Sequence, residues 1–291
     1  MRAAAQVRSP AAPFAAGARA AGLAERAVRS LIAEALLTPK PALVDRRGCG
    51  AHDDLDLARL LRSAQALRGT FRALALHAGR AAAPDRRLRE QLGAIGRCGE
   101  RVMLSATGGS NAHRGAIWSL GLLVAALARA GHDSPCEELA ELAARLARLP
   151  DRHAPERPSN GSRACRRFGV TGARGEAAAG FPHVLQLGLP ALRAARERGS
   201  HEDCARLDAL MAIMSSLDDT CLLHRGGWEA VRAAQQGAHQ VLALGGSATP
   251  AGRRALLALD AELLRRRASP GGCADLLAAC LLLDGGCAAE A

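Results

Sequence analysis

From Ile117 to Leu127 the chain reads IWSLGLLVAAL, with Ser119 its one polar residue. A helix that is apolar on every side belongs in a core, so this pattern predicts a buried helix over about Ala112–Ala130. Elsewhere apolar positions recur at helical spacing, and no segment carries the alternation or β-branched clustering of a strand. The spacing predicts helices over Leu23–Leu37, Asp54–Ala78, Arg86–Ser105, Cys136–Arg148, Ala173–Ala179, Val184–Arg198, His201–Leu217, Trp228–Ala243, Ala251–Arg267 and Gly272–Leu283. Apolar helices with short loops and no strands between them predict an all-α, compact, bundle-like fold, read as one domain over residues 21–291. The first 20 residues, alanine-rich but broken by Arg2, Arg8, Pro10, Pro13 and Arg19, read as a loose tail and make a poor signal peptide. Pro150–Arg163, PDRHAPERPSNGSR, breaks the helical rhythm and is read as a surface loop or lid.

The buried helix starts awkwardly. It is preceded by Gly108, Gly109, Asn111, His113 and Arg114. Its first backbone N–H groups lack partners, and the macrodipole there is already positive. Free donors with basic side chains at a helix start call for an anion, and phosphate is the usual one. The alternative is an ordinary glycine loop with solvated basic residues.

Composition narrows the choice of partner. With 49% hydrophobic and 23% charged residues, the chain reads as globular, and no apolar run nears the roughly 18–20 residues that cross a bilayer. The net charge is +11, yet Lys40 is the one lysine among 39 basic residues, and aromatics make up 2%. Scattered arginine without stacking aromatics disfavours nucleic acid and suits small phosphorylated substrates. The nine cysteines include no CxxC pair, which argues against structural zinc and a disulfide framework and points to a reducing cytoplasm. Cys273, Cys280 and Cys287 recur every seven residues, a spacing read as apolar packing.

The Gly, Pro, Asp and His residues collect at five loop-to-helix junctions, where sites on rigid scaffolds are normally built. In LTPKPALVDRRGCGAHDDLD, prolines flank Lys40, an ammonium suited to phosphate. Asp45, His52, Asp54 and Asp56 there offer Mg²⁺ oxygens or a base, with Asp53 read as a helix N-cap. The second junction is the start of the buried helix, with Glu100 upstream. GVTGARGEAAAGFP brings Arg174 and Glu176, and DDTCLLHRGG brings Asp218, Asp219 and Arg225. Adjacent carboxylates are costly to hold together without a cation or a shared proton. ASPGGCADLL brings Gly271, Gly272 and Asp275. Each has a structural explanation as a cap or a solvated charge. Together they predict an enzyme acting on a phosphorylated, nucleotide-type substrate.

The same five stretches, LTPKPALVD with GAHDDLD, ATGGSNAHRGAIWSLGLL, GARGEAAAGFP, DDTCLLHRGG and SPGGCADLLA, resemble the triphosphoribosyl-dephospho-CoA synthase family, in its order and from Glu34 to Leu283. The second and fourth are closer in shape to its malonate decarboxylase branch. The family pattern would put Val at Ser110, Thr at Ala112, Lys at Arg114, Asn at Cys221 and Ser at Cys273. The resemblance implies that ATP and 3′-dephospho-CoA give 2′-(5″-triphosphoribosyl)-3′-dephospho-CoA and adenine. The product would pass to a carrier-protein transferase. Glu176, with Asp45 and Asp275 as rivals, would face C1′ of ATP. Lys40, Arg46, His52, His113, Arg114, Arg174 and Arg225 would hold substrate and phosphates, aided by Gly108, Gly109, Asn111, Gly271 and Gly272. Asp54, Asp218 and Asp219 would hold Mg²⁺. Two other readings remain: a metal-dependent phosphohydrolase built on His52, Asp54 and the Asp218–Asp219 pair, and a non-catalytic helical binding protein.

Overall fold

Apolar spacing fixes the helices, and caps fix their ends. The computed structural model describes residues 13–130, 134–156 and 158–285. Its helices are α1 (Pro13–Leu36), α2 (Leu57–Ala66), α3 (Arg68–Arg80), α4 (Arg86–Thr107), α5 (Arg114–Ala130), α6 (Cys136–Arg148) and α7 (Asn160–Phe168). They continue as α8 (Gly172–Ala178), α9 (Leu189–Glu197), α10 (Glu202–Met214), α11 (Thr220–Ala243), α12 (Pro250–Arg265) and α13 (Gly271–Asp284). A π-helical turn, His183–Gly188, leads into α9. The fold is all-α: no strand occurs among the described residues, and Asp45 and Gly48 make an isolated bridge. No helix among them is long and apolar enough to cross a membrane.

α5 is buried on every side, as its sequence requires, from Ala116 and Ile117 through Ser119–Leu127. It packs against α1, α3, α4, α6 and α13. α13 is the second such helix. Its residues from Cys273 to Cys280 are buried except Asp275, the one charged group among them. One apolar cluster runs through these helices from Ala20 to Leu283. Each leucine as deeply buried as Leu120 or Leu123 contributes roughly 1.5–3 kcal/mol. α5 and α13 are therefore a rigid frame, and their N-termini are well-placed points for chemistry.

The differences from the predicted elements have local causes. Of the residues read as a tail, 1–12 lie outside the described residues and Pro13–Ala20 form the first turns of α1. The single helix predicted over Asp54–Ala78 is two, meeting at buried Leu67. Its cap is Asp56, not Asp53: the Asp56 carboxylate accepts the Arg59 N–H at 2.7 Å, because Leu55 must first turn inward to pack with Val44 and Leu60. Asp56→Ala should lower stability by about 1 kcal/mol, read as an earlier urea midpoint with unchanged slope. The Pro150–Arg163 stretch is shorter as a loop than predicted, since Ser159 and Ser162 form a capping box that starts α7. Its Asp151 is pinned to α4 by Arg97 at 2.7 Å and Arg89 at 3.5 Å. α11 starts eight residues before the predicted Trp228 and absorbs the kink at Gly227 (φ 63°, ψ −162°). Cys273 and Cys280 are buried as expected of packing residues, while Cys287 lies outside the described residues.

Candidate active site

The first polar stretch closes on itself. Lys40, 1% exposed, donates from Nζ to the Glu34 carbonyl at 2.8 Å and to Glu34 Oε1 at 2.5 Å. The ammonium that the sequence offers to a phosphate is thus spent on a buried ion pair. Asp45 accepts from Thr38 Oγ1 (3.0 Å), the Lys40 N–H (2.9 Å), the Arg47 N–H (2.7 Å) and the Arg47 guanidinium. Burial pushes its carboxyl up, but hydrogen bonds from Arg47 and from the two backbone donors outweigh that and hold it below the usual carboxylate range. Arg47 also reaches Asp260 of α12 at 2.6 Å. Asp45, weighed as a catalytic carboxylate, is a loop organiser with its oxygens occupied. Arg46 is exposed.

His52 draws three stretches together. Its Nδ1 accepts from Arg225 Nη2 at 3.1 Å, which leaves Nε2 to donate to Ser269 Oγ at 2.9 Å. Arg225 also donates to the Ala51 carbonyl at 3.1 Å. Burial first, then the Arg225 charge, lowers the His52 pKa, so the ring is neutral at pH 7 with both nitrogens engaged.

At the start of α5, Gly108 and Gly109 end α4 with left-handed backbone (φ 70° and 99°), and Asn111 Oδ1 accepts the Arg114 N–H at 3.2 Å. Arg114 pairs with Glu100 at 3.0 Å. His113 is buried. Its Nδ1 lies 2.7 Å from Ser63 Oγ, its Nε2 has no partner, and burial followed by the Lys40 charge lowers its pKa to about 3. It is a neutral ring, not the cation expected at a phosphate site.

A carboxyl group does sit at this helix start, and it belongs to the chain. Asp275 approaches Gly115 so closely that a Cβ there would stand 1.9 Å from Oδ2, and it takes the Ala116 N–H. Only glycine leaves room for that carboxyl. Burial pushes Asp275 well above the usual carboxylate range, reinforced by Glu34 and Asp219. α13 is treated the same way. Asp219, buried at the start of α11, accepts the Cys221 N–H at 2.7 Å and the Cys273 N–H at 2.9 Å. A Cβ on Gly272 would be 3.0 Å from it. Of Gly271 and Gly272, both expected to face phosphate, Gly272 makes room for this carboxylate and Gly271 for the Cys221 side chain, whose sulfur would stand 3.0 Å from a Cβ there. Because backbone groups hold the carboxylate, the Cys221 side chain is not needed for its seat.

The third stretch builds a cavity. Trp118 of α5 donates to the Ala173 carbonyl at 3.1 Å, and the Arg174 and Arg89 guanidinium carbons lie 5.6 and 5.0 Å from its ring centroid. Behind this clamp, Glu176 is 6% exposed and takes two bonds from one residue: the His183 N–H at 2.9 Å on Oε1 and His183 Nδ1 at 2.7 Å on Oε2. Glu176, His183, Thr171, Ser216 and Asp218 line a cavity of about 240 Å³. Hydrogen bonding to Glu176 raises the His183 pKa above its ordinary value, against burial, with help from the Ser216 carbonyl and the Asp218 charge.

The five stretches therefore touch one another around the starts of α5, α8, α11 and α13. Glu34, Lys40, His113, Asp219 and Asp275 form an inner polar centre, and Asp218, next in the chain to Asp219, opens to the Glu176–His183 cavity. The three carboxylates expected to share Mg²⁺ do not converge. Asp54 is exposed beside His52, Asp218 faces the cavity, and Asp219 is bound to two helix starts. Among the described residues no group of three His, Cys, Asp or Glu side chains is placed to hold a metal ion. Sequence reasoning passed over Glu34, Ser63, Arg47 and His183. The last had a readable signal, one residue beyond GEAAAGFP and seven after Glu176, where a tight turn brings the two together.

A family model described as ATP:dephospho-CoA triphosphoribosyl transferase matches residues 20–290. The chain is similar to a 2-(5''-triphosphoribosyl)-3'-dephosphocoenzyme-A synthase of Klebsiella pneumoniae, 56% identical over 272 residues that cover 94% of this chain and 97% of the relative. Proteins named as probable synthases of the same kind, from Azotobacter vinelandii and Pseudomonas fluorescens, are 56% and 57% identical, with 90% of each chain covered. No solved structure matches the chain.

Proposed function

The chain belongs to the ATP:dephospho-CoA triphosphoribosyl transferase family and is a transferase, and on that footing we propose that it moves the 5-triphosphoribosyl group of ATP onto the ribose 2′-hydroxyl of 3′-dephospho-CoA, releasing adenine. The observation that carries the reading is the meeting of the five polar stretches. Asp219 joins the starts of α11 and α13, Asp275 of α13 sits on α5, Arg225 of α11 bonds His52, and His183 couples Glu176 to Asp218. A protein of separate caps and solvated charges has no reason to bring them together.

In this reading the glycosyl transfer runs in the cavity beside Glu176. A space of about 240 Å³ is below the roughly 300–1,000 Å³ of whole-ligand pockets and suits one end of a nucleotide, its base and ribose. Transfer at C1′ passes through an oxocarbenium-like state, and the buried negative charge of Glu176 stabilises it from low-dielectric surroundings. Of the three carboxylates weighed for this role, Glu176 is the one on that cavity's wall. The exposed guanidinium groups of Arg46, Arg174 and Arg225, with half-buried Arg114, are assigned to the triphosphate. Lys40 and His113 are assigned to the frame. Mg²⁺ is assigned to the triphosphate as part of the substrate, since Asp54, Asp218 and Asp219 do not gather around one point. We assign the product to prosthetic-group assembly for malonate decarboxylase, in the cytoplasm and by way of a carrier-protein transferase, on the shape of the second and fourth stretches.

Incubating the full chain with ATP, Mg²⁺ and 3′-dephospho-CoA should give one adenine per new triphosphoribosylated product, both resolved by chromatography. Inorganic phosphate without adenine would instead indicate a phosphohydrolase.

A further inference from the structure

His183 has no task in the mechanism above, and its setting is unusual. Buried Phe181 just before it has φ 56°, a conformation that non-glycine residues adopt at a cost of order 1–3 kcal/mol and that gathers at functional sites. The π-helical turn beginning at His183 is a second local irregularity of the same kind. Both place the imidazole over Glu176, which takes its backbone N–H and its Nδ1. A histidine that donates from Nδ1 to a carboxylate has its tautomer and ring plane set, and its Nε2 faces the other side, toward the Ser216 carbonyl. That side is the wall of the cavity, shared with Ser216 and Asp218.

We infer that His183 is the general acid of this reaction, its Nε2 delivering a proton to a purine ring nitrogen of ATP as the C1′–N9 bond breaks. The inference rests on the adenine-releasing reading. The C1′–N9 bonding pair leaves with the purine, and the His183 proton makes the departing base neutral adenine. The 2′-oxygen of the acceptor ribose forms the new bond to C1′, and its proton passes to Asp218 across the cavity. Exchange with solvent returns Asp218 and His183 to their starting states. Glu176 acts through His183 as a positioning residue as well as through its charge. The groups facing the ring favour the acid form: Glu176 from α8 and Asp218 from the segment before α11 are anionic partners. The Cys280 thiol of α13, near Glu176, is pushed up by burial and stays neutral.

The test compares ATP with its N7-methylated analogue, whose purine is already cationic and leaves without a proton. Wild-type kcat/KM with ATP should fall as pH rises through the His183 pKa, and this alkaline limb should be absent with the analogue. His183→Gln should lower adenine release from ATP by about 10²–10⁴-fold, with KM nearly unchanged and the deficit shrinking to under about tenfold on the analogue. Equal deficits on both substrates, or an identical alkaline limb on both in the wild type, would overturn the assignment. The wild-type comparison stands even if the variant folds poorly. A wild-type chain that releases no adenine fails the underlying reading, whereas full turnover by His183→Gln removes only the acid.

Discussion

Lys40→Met is expected to lower the free energy of unfolding by about 3–5 kcal/mol, the usual consequence of stranding the partner of a buried ion pair. Lys40 and Glu34 are 1% and 5% exposed, and the ammonium gives both the carbonyl and the carboxylate of Glu34 a hydrogen bond. Removing it leaves a desolvated carboxylate near Asp275, whose own carboxyl Glu34 already pushes up. Methionine fills the stem's volume but supplies no donor. Glu34→Gln combined with Lys40→Met removes the stranded charge, so the double variant should be more stable than Lys40→Met alone, a coupling that a double-mutant cycle in urea would measure. If Lys40→Met unfolds within about 1 kcal/mol of the parent yet loses ATP affinity, Lys40 belongs to a phosphate site after all.

Glu176→Gln should cut adenine release by about 10²–10⁴-fold while leaving the fold intact. Glutamine has the same shape, and its Oε1 still accepts the His183 N–H. What disappears is the charge on the Nδ1 side. Glu176 is the leading cause of the raised His183 pKa, so its loss should move the alkaline limb of kcat/KM to lower pH. The sign for stability follows from linkage. A raised folded-state pKa adds stability that is full below the unfolded histidine value near 6.5 and is lost as pH rises through the folded value. Glu176→Gln should therefore flatten the stability profile in that window. A slow variant whose alkaline limb has not moved would show that Glu176 does not act through His183.

The inner centre is an economy of the all-α fold. Helix starts on a rigid frame attract acceptor groups, and here the carboxyl groups of Asp219 and Asp275 fill them from within. The exposed guanidinium groups around the rim remain available for phosphate. Arg174 is steadied against Trp118 and Arg225 against His52 and Ala51.

Helix content was legible in the sequence because periodicity is a local signal. The apolar run in α5 predicted a central helix, and α5 is buried on every side. The five junctions were legible for the same reason, since Gly, Pro and Asp mark the ends of helices wherever the chain goes next. Local pattern reads less well where an end depends on a distant partner. Leu55 turns inward to join Val44 and Leu60, so the cap falls at Asp56.

The amino-acid order by itself determined that this is a helical protein with polar groups gathered at helix starts. Only the tertiary structure decided which of those groups stay free. Asp45 was tied up by Arg47, itself anchored by Asp260 more than 200 positions away, Lys40 by Glu34 once both were buried, and the start of α5 by Asp275 of α13. The physical reason is that the chemistry of a charged side chain depends on its burial and its partner. Burial is set by packing between segments that lie far apart along the chain, and it decides what even a nearby partner such as Glu34 does to Lys40.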